Sequence, residues 1–142
     1  CLARAASCLS GVGVCTGGEP LMYDLGYLGA GLKSAGLQTV LETSGSWPLT
    51  GQWDWICLSP EKDAPPLNSI YSLANELKII IEDVDDLAWA EHQSAFVGPG
   101  CVLFLQPEWR CSSGIIPRIV SYIMDHPKWR ISLQSHKYMR IP

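Results

Sequence analysis

No apolar run in this chain approaches the roughly 20 residues that cross a bilayer, and the opening CLARAASCLSG holds no sustained hydrophobic stretch of a secretory leader. Basic charge is scarce. Lys and Arg number 10 against 14 Asp and Glu, for a formal net charge of −4, and the cations are scattered along the chain. Nucleic-acid grooves and anionic membrane surfaces both reward clustered Lys and Arg, so neither is expected as a partner. The expected setting is the cytoplasm. An initial Met is also missing: the text opens at Cys1, close to a strand, and reads as a piece whose front part is absent.

Metal-binding cysteine patterns are lacking as well. Six cysteines are present (Cys1, Cys8, Cys15, Cys57, Cys101, Cys111), yet none forms CxxC or CxxxCxxC, and Cys1 and Cys8 stand six residues apart. An even count invites a disulfide framework in a small secreted chain. Here Cys15, Cys57 and Cys101 fall in or beside apolar runs, where a free thiol behaves as a small hydrophobe. No metal ligand is expected within the chain. What is abundant is core: 142 residues, 47% of them hydrophobic and 17% charged, suffice for one domain over 1–142.

The pattern alternates strand-like and helix-like segments. GVGVC (11–15), LQTVLE (37–42), WDWICLS (53–59), LKIII (77–81), CVLFL (101–105) and WRISLQ (129–134) read as strands. Helices are predicted over 21–35, ended by Gly36, over 67–75, over EDVDDLAWAEHQSAF, and over 113–125 with Pro117 in the first turn. LKIII and CVLFL are apolar throughout, the mark of parallel strands covered on both faces. An α/β fold follows, as a partial βα barrel or an open wound sheet.

Polar residues cluster at the C-terminal end of each apolar run: Glu19, then Glu42 and Thr43, Ser59, Gln106 and Glu108, and His136 with Lys137. In parallel α/β folds ligands bind at that face, so these residues are expected to converge. Glu82 and Asp83, after LKIII, read as a helix cap. TGGEP (16–20) is the most specific motif: its glycines let the backbone turn and approach a ligand, and Glu19 offers a carboxylate to a cationic group. Plainer readings stand beside these. Glu42 suits a turn cap with Thr43 and Ser44, Ser59-Pro60 suits turn chemistry, His136 an exposed terminal histidine, and Lys78 an edge residue. His92 and His126 read as surface residues, and Trp53, Trp55, Trp89, Trp109 and Trp129 as packing.

VCTGGEPL resembles the GGE motif of radical-SAM enzymes, and ETSGSWP, WICLSP, ELK, LQPEW and WRISLQSHKYMRIP follow in the order seen in 7-carboxy-7-deazaguanine synthases. The likeness runs from about residue 11 to the end. It implies the C-terminal portion of a radical-SAM partial (βα) barrel with mostly parallel strands. It further implies a carbon–nitrogen lyase of queuosine biosynthesis that uses S-adenosyl-L-methionine, a 4Fe-4S cluster and Mg2+. Such an enzyme converts 6-carboxy-5,6,7,8-tetrahydropterin to 7-carboxy-7-deazaguanine with loss of ammonia, as a homodimer.

Carried over by motif, Gly17, Gly18 and Glu19 lie at the methionine part of S-adenosyl-L-methionine, and Ser59, Ser44 and Gln106 touch the same cofactor. Thr16, Glu42 and His136 hydrogen-bond the pterin, and the terminal segment through Pro142 closes the pocket. Two departures stand out. Relatives read Ser-Pro-Lys where this chain has Ser59-Pro60-Glu61-Lys62, and the family's three-cysteine cluster loop, which precedes the GGE motif, is not here. The resemblance therefore leaves two further readings open, a non-catalytic binding remnant and another radical-SAM activity such as an activase.

Overall fold

A computed structural model describes residues 11–140, so Cys1, Cys8 and Pro142 lie outside the described residues. The chain falls into two compact units, one ending at Glu76 and the other starting at Leu77.

In the first unit, β1 (Val12–Cys15), β2 (Gln38–Thr43) and β3 (Trp55–Leu58) pair in parallel, in that order. The register sets Cys15 beside Leu41 and Thr43 beside Leu58, so the three strands end at one level. Strand β2 alternates strictly: Thr39, Leu41 and Thr43 are buried while Gln38, Val40 and Glu42 are not. That period of two gives the sheet a covered face and an open one. Helix α1 (Gly26–Ser34) packs on the covered face, where Leu32 lies within van der Waals reach of Gly13. Gly36, with φ +76°, ends α1 in the left-handed conformation as the sequence predicts.

The predicted helix over 21–35 is broken. Pro20–Met22 forms a 3-10 turn, and α1 restarts at Gly26 because Asp24 Oδ1 accepts the Gly26 amide at 2.9 Å and Thr50 Oγ1 the Leu25 amide at 3.0 Å. Helix α2 is a single turn, Asn68–Tyr71, shorter than the predicted 67–75.

The second unit contains β4 (Glu76–Ile81, its first residue closing the first unit), α3 (Asp85–Ser94), β5 (Val102–Pro107), α4 (Ser112–Asp125), β6 (Trp129–Ile131) and α5 (Ser135–Tyr138). Strand order is β4-β5-β6, and β5 pairs with β6 in parallel. Leu77, Ile79, Ile81, Leu105, Ile119 and Trp129 form its core. The fold class is the expected α/β arrangement of parallel strands with helices between them.

Pro117 departs from its predicted place. Glu108 Oε2 accepts the amides of Arg110 at 2.6 Å and Cys111 at 3.3 Å, which starts α4 at Ser112 and leaves Pro117 in the helix interior. The bond that Pro117 withholds would have served the Ser113 carbonyl. Both residues are exposed, so water can serve it instead.

Candidate functional site

The C-terminal rim of the first unit is built on one carboxylate. Glu19 Oε1 accepts the Leu21 amide at 2.9 Å, capping the 3-10 turn, and the Thr43 hydroxyl at 2.6 Å. Its Oε2 accepts the Ser44 amide at 2.8 Å and the Ser44 hydroxyl at very short range. Thr43 Oγ1 takes the Gly45 amide at 3.0 Å, and the Ser44 and Ser46 hydroxyls share a bond of 2.9 Å. Ser59 joins through its amide, which donates to the Thr43 carbonyl at 2.8 Å. Partial burial pushes the Glu19 pKa up, but the hydrogen bonds from Ser44, Thr43 and Leu21 outweigh it and hold the carboxyl below its ordinary value.

Gly17 and Gly18 precede this knot with φ of +93° and +57°, and nothing lies within 4 Å of where their Cβ atoms would stand. The turn is thus exposed backbone, open to an incoming ligand. Thr16 is also exposed.

The first unit therefore brings Thr16, Gly17, Gly18, Glu19, Ser44 and Ser59 to the C-terminal end of its strands; of the residues expected to converge, Glu19 and Ser59 are among them. Glu42 reaches the same level on the other side of β2. It projects from the open face, beside Cys57, whereas Thr43, which grips Glu19, belongs to the covered face. Sequence reasoning named Thr43 without giving it a role and passed over Ser46. The Thr-Ser-Gly-Ser run directly after a strand was the available signal.

In the second unit Gln106 is buried at the end of β5, where its Oε1 accepts the Ser132 hydroxyl at 3.2 Å. His136 is exposed on α5. That helix leans on Trp109, which meets Tyr138 edge to face at 5.0 Å and Lys137 at 5.3 Å. After β4, Asp83 Oδ1 accepts the Asp85 amide at 2.8 Å, which is the expected capping role. Asp86, unforeseen in the sequence and 1% exposed, holds the amides of Glu82 at 2.7 Å and Asp83 at 3.2 Å.

Grooves occur in both units, and one in the first lies at the opposite end from the rim. It is lined by Val12, Gln38, Asp54, Trp55 and Glu76, at the starts of the strands. A shallow acidic groove in the second unit runs along Glu82, Asp83, Glu108, Arg110 and Cys111.

The described thiols are Cys15, Cys57, Cys101 and Cys111, none of them in a disulfide, and no three His, Cys, Asp or Glu among the described residues group to hold a metal. Burial raises the pKa of Cys15, and burial followed by the Glu108 carboxylate raises that of Cys111. These residues do not fit an iron–sulfur cluster.

No protein-family model matches the chain. It is similar to 7-carboxy-7-deazaguanine synthase of Flavobacterium psychrophilum, 50% identical over 91% of this chain and 61% of that protein. The synthase of Synechocystis is 51% identical over 90% of this chain and 61% of its own length. That of Prochlorococcus marinus is 33% identical over 90% and 67%. The chain thus spans about three fifths of the first two relatives. Among solved structures, QueE from Escherichia coli superposes with a TM-score of 0.69 and 27% identity over 85% of this chain and 55% of its own.

Proposed function

The chain belongs to the 7-carboxy-7-deazaguanine synthase family, and from that premise we propose that it is the ligand-binding part of an enzyme that converts 6-carboxy-5,6,7,8-tetrahydropterin to 7-carboxy-7-deazaguanine. Ammonia leaves in the ring contraction. The observation that carries the reading is the exposed Gly17–Gly18 turn fixed above the Glu19–Thr43–Ser44 knot, in a chain 50% identical to a named synthase over 91% of its length.

In this reading the turn receives the methionine part of S-adenosyl-L-methionine, with Ser44 and Ser59 around the same cofactor. Thr16 and Glu42 meet the pterin. A carboxylate such as Glu42 on the open face suits the guanidine-like edge of the pterin, through paired charge-assisted hydrogen bonds. Cluster and Mg2+ ligands are assigned to residues outside these 142, so no step is routed through either group. The family assembly proposed here is a homodimer in the cytoplasm.

A second reading has one observation in its favour: among the described residues no three metal donors group together, which suits a non-catalytic remnant that still binds a nucleotide-like ligand.

The test is equilibrium dialysis of the purified chain against labelled S-adenosyl-L-methionine and, separately, the tetrahydropterin. Saturable binding of both is expected, with Gly18→Val weakening the cofactor by about tenfold or more, equal to ~1.4 kcal/mol. Binding of the cofactor alone favours the remnant. Binding of neither overturns both readings.

A further inference from the structure

A carboxylate offers about four lone-pair sites. At Glu19 all four are taken by the protein: Leu21 N and Thr43 Oγ1 on one oxygen, Ser44 N and Ser44 Oγ on the other. Its partners are committed too, since Thr43 is 2% and Ser44 9% exposed and their hydroxyls serve Gly45 and Ser46. An ammonium ion could gain Glu19 only by displacing one of these donors. That would leave a buried hydroxyl or amide unpaired, a cost the ammonium would have to offset. The carboxylate also lies against Thr43, on the covered side of β2, and not with Glu42 on the open side.

We propose that Glu19 is a positioning residue, a latch that fastens the Thr16–Glu19 loop to the end of β2 and thereby sets the surface that Gly17 and Gly18 present, rather than the partner of a ligand's ammonium group. The inference rests on the cofactor reading above for what the loop receives, but the latch itself does not need a ligand.

Each Glu19 oxygen faces a backbone amide, which cannot reverse its polarity. Glu19→Gln therefore breaks the latch at constant size, because its new NH2 group must meet one N–H or the other. The first measurement is amide hydrogen exchange at Leu21 and Ser44. Glu19→Gln is expected to speed exchange at one or both by about tenfold or more, and unchanged protection at both would overturn the latch.

The second compares S-adenosyl-L-methionine with an analogue whose α-amino group is replaced by hydroxyl. A latch makes Glu19→Gln weaken both by the same factor. Selective loss of the amine-bearing ligand would sink the proposal. Should Glu19→Gln not fold, Thr43→Val decides. It frees one lone pair on Glu19, so a direct ammonium partner gains affinity for the amine-bearing ligand alone, whereas a latch loses affinity for both. If the unaltered chain binds neither ligand, the cofactor reading fails, while the exchange measurement still settles the latch.

Discussion

A side chain at position 45 would need a backbone φ of +75° and a Cβ standing 2.6 Å from Leu58 Cδ1, 2.9 Å from Ile70 Cγ2 and 3.2 Å from Pro66 Cβ. Leu58 and Ile70 are themselves buried and cannot yield. Left-handed backbone costs alanine about 1 kcal/mol, and overpacking a filled core adds about 1–3. Gly45→Ala should therefore lower unfolding free energy by about 2–4 kcal/mol in urea denaturation. By contrast Gly114→Ala, with nothing within 4 Å and an ordinary φ inside α4, should be neutral or slightly stabilising. A loss below about 1 kcal/mol at position 45 would show that the site relaxes. Glycines were legible in the sequence as turn residues, and Gly36 behaves as predicted. Why Gly45 is needed was not, because Leu58 and Ile70 lie 13 and 25 residues away in the chain.

Between elements, one polar tie of the second unit is Glu91 on α3. Its Oε1 accepts Trp129 Nε1 and the Tyr122 hydroxyl, both at 2.7 Å, and its Oε2 meets Lys128 at 2.5 Å, so one carboxylate joins α3, α4 and the start of β6. Burial opposes its charge, but the bonds from Lys128, Tyr122 and Trp129 prevail and bring its pKa down to about 2. A depressed folded pKa gives stability that is present above the unfolded value of about 4.3 and lost as pH falls toward 2. Glu91→Gln should cost about 1–2 kcal/mol at pH 7, scaled down for the partly exposed carboxylate. The substitution should also flatten the stability curve between about pH 5 and 2. Equal acid sensitivity in both proteins would remove Glu91 from that role. Tyr122, raised to about 12 by burial and then by Glu91, should titrate nearer 10 in the same variant, read from tyrosinate absorbance.

Element existence was readable from pattern: LKIII, apolar but for Lys78, and CVLFL became β4 and β5, and the acidic start of α3 was seen, although β4 buries only Leu77, Ile79 and Ile81 instead of both faces. Boundaries failed where a distant group intervened. Thr50, 25 residues away, holds the Leu25 amide where α1 restarts at Gly26.

For the molecule as a whole, the question is whether these residues can hold the cofactor on which the family's chemistry depends. The rim was legible because strand ends are visible as polar punctuation after apolar runs. The division of β2 between Glu19 and Glu42 was not, since it depends on which face the helices cover. A cubane cluster held at three irons needs three thiolates brought together by one loop. The described cysteines sit in β1, in β3, just before β5 and just before α4, with no grouping of three donors. Cys1 and Cys8, six residues apart, could add at most two ligands. Anaerobic reconstitution of the 142-residue chain with iron and sulfide, followed by desalting and assay of both elements, should leave well under one cluster per chain. The accompanying absorbance near 400 nm should be weak, and added S-adenosyl-L-methionine should not change it. Four irons and four sulfides retained per chain would mean that cysteines now spread over separate elements assemble a site by rearrangement, and the assignment of the cluster to residues outside this chain would have to be abandoned.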